Sequence, residues 1–299
     1  LIGAIKHPFF LNPLIYLPLL CLSIEKVLRK ESSKLFIAMT ALCAMSNFYF
    51  FYMLTVLAVL YAIVRFFCMY LPKINMSQIA YKNIIQKNQE RKRVQKQEQR
   101  QVVVKKTKKS SVIWNKKLKK QQEKPEWLHA FMEIVPRGIG AYLTGVCIAA
   151  VIFVPVVLRF LNNPRYVEDA SKLKLVYSAN YYGRMLASFT GQAWTPGYWA
   201  FFGFAPIVIL ALCVLFTKKE RQVRSLQIFT VFGFLFLLFP VFGYILNGFD
   251  YVSNRWMFAF HFLMAYIVTA MLPELLAGMK KYAIYLCGAV TVGLLLLNL

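Results

Sequence analysis

The chain has 299 residues, 59% of them hydrophobic, a mean hydropathy of +0.52 and a net charge of +24. A soluble globular chain is nearer roughly 45–50% apolar, so that class is excluded. Apolar runs long enough to cross a bilayer recur, and a run in lipid must be helical to satisfy its own backbone, so an all-α integral membrane protein is expected.

The chain opens on Leu1-Ile2-Gly3 without an initiator Met and stops at Leu299 inside an apolar run, and so reads as an internal piece of something longer. The apolar runs in order are Phe9–Ile24, Leu35–Ser46, Phe50–Phe67, Ile139–Leu158, Tyr198–Phe216, Leu226–Leu246, Met257–Leu276 and Ala283–Leu299. The second is too short to cross alone, so it and the third form either a hairpin of unequal helices or one broken element.

Charge assigns the sides. Basic residues favour the cytoplasmic side of a membrane protein. Lys26, Arg29, Lys30 and Lys34 follow the first run, and the most basic stretch of all follows the third. The turn at Asn47-Phe48-Tyr49 is then outside. Continued alternation places Lys218, Lys219, Arg221 and Arg224 inside, with Lys280 and Lys281. Four basic clusters thus agree on about eight spans. The expected organisation is a first block of three spans over 1–72, a basic cytoplasmic loop over 73–137, and a second block of five spans over 138–299.

Residues 73–126 hold seventeen Lys or Arg and four Glu, a net +13. No Gly or Pro occurs from Met76 to Lys124, so helix is permitted, while the few apolar residues leave disorder equally open. The segment reads as a solvated, topology-fixing linker. A second reading lays it on anionic membrane lipids, with Val102–Val104, Ile113 and Trp114 dipping into the interface. Basic charge alone would suit nucleic acid, but a membrane tether argues against that partner.

The external segments are Leu1–Pro8, the turn at Asn47, the loop of residues 159–197, and Asn247–Trp256. The long loop carries Arg159, Arg165, Lys172, Lys174 and Arg184 against Glu168 and Asp169. Basic residues outside call for an anionic ligand such as phosphate, or for local pairs such as Arg165 with Glu168 or Asp169. Tyr181, Tyr182 and Trp194 sit beside polar residues and glycines, which suits sugar or acceptor contact as well as an interfacial belt. The last segment packs Asn247, Asp250, Ser253, Asn254 and Arg255 into one short turn. Arg255 stands before Trp256 and a new span, where a carrier phosphate would meet it or where it would merely anchor the helix.

The cysteines Cys21, Cys43, Cys68, Cys147, Cys213 and Cys287 lie in or beside apolar runs without a C-x-x-C pair, as small buried hydrophobes do. The histidines are scattered, and the loops show no ligand cluster that demands a divalent metal.

The stretches His7 to Leu19, Ser46 to Met53, Val154-Pro155 with Arg159, and above all Asn247 to Trp256 resemble the bacterial YfhO family. The resemblance covers both hydrophobic blocks but not the lysine-rich loop. It implies a GT-C-like polytopic bundle in the bacterial cell membrane. It also implies transfer of a sugar from a polyprenyl-phosphate carrier to lipoteichoic or wall teichoic acid. The partners implied are a cytoplasmic carrier-charging glycosyltransferase and a small flippase. The family's catalytic carboxylate is expected in an external loop upstream of Leu1, so no base is assigned, and Asp169 and Asp250 are secondary candidates. Positive charge for the leaving phosphate is sought at Arg255, Arg159, Arg165 and Arg184, and sugar or acceptor contact at Trp194, Tyr181, Tyr182 and Asn254. The alternatives are a transporter or flippase of a lipid-linked sugar, and a non-catalytic scaffold. The spans hold few ionisable groups, mainly His261 and Glu274, which argues against translocation.

Overall fold

A computed structural model describes residues 11–71, 126–162, 175–189, 198–278 and 281–296. The described elements are helical throughout: α1 Asn12–Leu28, α2 Lys34–Ser46, α3 Phe48–Tyr70, α4 Glu126–Leu161, α5 Ala179–Ala187, α6 Ile207–Thr217, α7 Arg221–Leu238, α8 Pro240–Leu246, α9 Met257–Leu276 and α10 Lys281–Leu296. The chain divides into two compact units, Leu1–Met69 with Ile134–Leu299, and Tyr70–Glu133. Both hydrophobic blocks therefore belong to one unit. The basic stretch of residues 72–125, with every reading placed on it, lies outside the described residues.

Three described helices are long and apolar enough to cross a membrane: Phe48–Tyr70, Trp127–Phe160 and Met257–Leu276. A fourth is gained if α7 and α8 count as one span bent by 99°. The remaining apolar runs give shorter helices. α2 and α3 are separate helices broken at Asn47, whose extended backbone ends one while its side-chain oxygen accepts from the Phe50 N–H at 3.1 Å to start the other.

The run expected to span Tyr198–Phe216 is helical only from Ile207. Pro206 has no N–H and disfavours helix in the residue before it. The preceding stretch is non-helical and buries every second residue, Ala200, Phe202 and Phe204, while Trp199 and Phe201 stay outside. Phe204 N–H donates to the Phe189 carbonyl at 2.9 Å, which ties this stretch to the end of α5.

The α7–α8 bend begins at Pro240, which cannot donate a helical hydrogen bond. A bend there releases the carbonyls of Leu237 and Leu238 from the helical ladder. Tyr181 and Tyr182 of α5 supply the missing donors, at 3.3 and 2.7 Å. α8 then ends in a Schellman turn. Gly248 N–H donates to Ile245 and Phe249 N–H to Tyr244, at 3.1 and 3.0 Å, with Gly248 at φ 74°.

The core sits around α9, whose buried face is Met257, Phe260, Met264, Ile267 and Met271. α9 packs on α6 and also meets α7 and α1. At its crossing with α7 the Phe260 ring lies so close to Gly233 that a Cβ there would meet it at 2.7 Å. α4 buries little of its surface and leaves Val151 85% exposed. Its close approach is to α2 at Gly145, where a Cβ would stand 2.7 Å from Thr40. Exposed apolar surface on this scale requires a lipid solvent.

Candidate functional site

The turn between α8 and α9 builds the site from its asparagines outward. Asn247 is buried, and its side-chain oxygen accepts the Tyr49 hydroxyl, while its Nδ2 donates to the Tyr251 carbonyl at 2.8 Å. One amide thereby holds two aromatic residues from opposite ends of the chain. Asn254 is fully buried. Its Nδ2 reaches the Tyr177 and Tyr181 hydroxyls at 3.2 and 3.4 Å, and its Oδ1 accepts the Trp256 indole N–H at 3.1 Å. Its backbone N–H donates to the Tyr198 carbonyl at 2.7 Å. That bond anchors Tyr198 and Trp199, two consecutive non-glycine residues in left-handed conformation, at φ 53° and 61°.

Arg255 stands between these two asparagine anchors. Its guanidinium carbon lies 5.1 Å from the Trp199 ring centre, 5.6 Å from Tyr49 and 5.8 Å from Tyr251. Three electron-rich faces thus surround one cation at distances where each attracts it. Its Nε is buried without a hydrogen-bond partner. No ion pair links Arg255 to Asp250 or to another described carboxylate. Among the described residues Arg255 is thus a planar cation with an orphaned donor, walled by aromatic rings and not paired with a carboxylate.

The other expected site residues separate into groups. Arg159 ends α4 and is exposed, and Arg184 is exposed on α5; neither joins the cage. Arg165, Asp169 and Trp194 lie outside the described residues. Tyr181, Tyr182 and Asn254, expected to contact sugar or acceptor, take part in the internal hydrogen-bond network of the turn. Tyr181 and Asn254 are 2% and 0% exposed, and all three spend their polar atoms on internal partners. Burial pushes the Tyr177 hydroxyl up to about 12 and that of Tyr181 upward also, so both stay neutral near pH 7. Among the described residues no three His, Cys, Asp or Glu side chains gather as metal ligands.

Sequence reasoning missed two features. Tyr49 was seen only as part of a turn, and nothing local links it to Arg255. The helices also hold an unexpected ion pair. Arg65 of α3 grips both carboxylate oxygens of Glu25 on α1, through Nε and through Nη2 at 2.9 Å, and Nη1 donates to Ser225 of α7 at 3.1 Å. Tyr61 donates to the same carboxylate at 3.0 Å. An Arg inside the apolar run Phe50–Phe67 was the available signal.

The family described as bacterial membrane protein YfhO matches residues 4–299. No curated protein and no solved structure matches the chain.

Proposed function

The chain belongs to the YfhO family of bacterial membrane proteins, and from that footing we propose that it is a membrane glycosyltransferase of GT-C-like architecture. It moves a sugar from a polyprenyl-phosphate carrier to lipoteichoic or wall teichoic acid at the outer face of the membrane. About eight crossings, with the basic loop cytoplasmic, place the turn of Arg255 on that face; the four basic clusters support this orientation.

The observation that carries the reading is the caged Arg255. In the transfer, an acceptor hydroxyl oxygen bonds to the anomeric carbon as the bond from that carbon to the carrier phosphate breaks. The electron pair leaves with the phosphate, and the hydroxyl proton passes to a base, for which Asp250 and Asp169 are the candidates within this chain. The Arg255 fork stabilises the charge that develops on the phosphate. Trp199 and Tyr251 are half-exposed aromatic faces beside it, of the kind a sugar ring packs against.

The test is sugar transfer onto teichoic acid in cells lacking the native gene. Arg255→Ala should lower transfer about a hundredfold, which corresponds to ~3 kcal/mol of transition-state stabilisation. Arg255→Lys, which keeps charge but loses the fork, should fall between. Both should reach the membrane at normal abundance. Normal transfer by Arg255→Ala would overturn the assignment.

One observation favours a second reading, a flippase of a lipid-linked sugar. Glu25 and Arg65 form an ion pair within the helical bundle, and such groups often mark translocation paths. Replacing both by the uncharged Gln and Met should abolish lipid-linked sugar transport in vesicles if that reading holds, and leave glycosyl transfer measurable if it does not.

A further inference from the structure

α1, α3, α7 and α9 enclose a groove of about 590 Å³ lined mainly by Leu and Phe side chains. Along α7 it extends from Ser225 to Phe236, about 16 Å at helical rise, close to half of a ~30 Å hydrocarbon core. Its two ends differ. Phe236 and Trp256 close one end, with ring centres 5.6 Å apart. Arg29, Arg65, Glu25 and Ser225 line the other. Three of the five Arg65 N–H donors are committed to Glu25 and Ser225. The Arg29 guanidinium lies 3.7 Å from Glu25 and its side chain is 60% exposed, so it keeps donors for another anion. The charged end carries two cations against one carboxylate.

We propose that this groove is a binding site for an anionic phospholipid, with one acyl chain along α7 and the phosphate on Arg29. The length of the groove selects this occupant: it holds one leaflet's worth of chain, far less than a polyprenyl carrier. Charge selects the direction, because Arg29 and Arg65 line the groove whereas Arg255 points into its own aromatic cage. Arg29 belongs to the basic cluster after the first run, so under the proposed orientation the lipid comes from the cytoplasmic leaflet. The site does not depend on the glycosyltransferase reading.

The purified full chain, released from nanodiscs of equal phosphatidylglycerol and phosphatidylcholine, should retain phosphatidylglycerol in native mass spectrometry. Arg29→Gln should lower that retention about fivefold and leave phosphatidylcholine unchanged, as expected for one cation near an anionic headgroup. Arg29→Lys should restore much of it. Ala259→Phe, which fills the groove but keeps its charges, should lower retention of both lipids. Undiminished phosphatidylglycerol in Arg29→Gln, or equal retention of the two lipids by the unaltered chain, would overturn the proposal. So would displacement by equimolar polyprenyl phosphate, or loss of retention in Arg255→Ala but not in Arg29→Gln.

Discussion

Asn254 connects three aromatic side chains from a position that solvent does not reach. Its replacement by Ala leaves the Trp256 indole N–H without its acceptor inside the core, and an unpaired buried donor costs about 1–3 kcal/mol. Asn254→Ala should therefore unfold about 2 kcal/mol more easily on SDS titration in mixed micelles. Asn254→Asp keeps the acceptor but buries a carboxylate without a cation, so it should be worse. A stability equal to the unaltered protein would show that the network contributes nothing. Sequence reading found the polar turn but not which of its side chains face inward. Asn254 and Arg255 are polar neighbours, yet one fastens the turn and the other sits among the rings of Tyr49, Trp199 and Tyr251. The distinction depends on Tyr177, Tyr181 and Tyr49, which are remote in sequence.

At the scale of elements, the α7–α8 bend shows what a hydropathy window cannot see. Leu226–Leu246 reads as a single apolar run, and its mean hydropathy carries no trace of the 99° turn. Pro240 was a visible signal for a break, but the direction of the bend depends on α5 and its paired tyrosines. Tyr182→Phe removes the donor that reaches the Leu238 carbonyl. It should cost about 1–2 kcal/mol and loosen the turn that carries Arg255. Faster hydrogen–deuterium exchange over residues 239–256, with α3 unaltered, is the expected pattern; protection equal to the unaltered protein would remove the role assigned to α5. The extended stretch before α6 was hidden for a similar reason. Its residues are as apolar as those of a helix, and Pro206, Gly203 and the left-handed Tyr198 and Trp199 mark it as something else.

At the scale of the whole molecule, the helical class and the membrane solvent were legible from hydropathy alone, because lipid demands them of any apolar surface this extensive. Partners across the chain were not: Glu25 with Arg65, and Tyr49 with Asn247, meet only once the helices pack. The proposed orientation predicts that cysteines introduced at positions 47, 180 and 250 react with an impermeant reagent in intact cells, while those at 30, 100 and 221 react only after permeabilisation. External labelling at position 100 would reverse the topology and remove the outer-face site. A last consequence follows from the eleven-residue α6, which rises only about 16 Å against a hydrocarbon core of about 30 Å. Ile207 and Phe216 at its two ends are exposed, so α6 meets lipid along its length and sets up a hydrophobic mismatch, which a bilayer relieves by thinning around it. In vesicles of graded acyl length the protein should be most resistant to heat in the thinner bilayers, with melting temperature falling as the chains lengthen. A melting temperature indifferent to chain length would mean that the extended stretch before α6 spans the remaining depth.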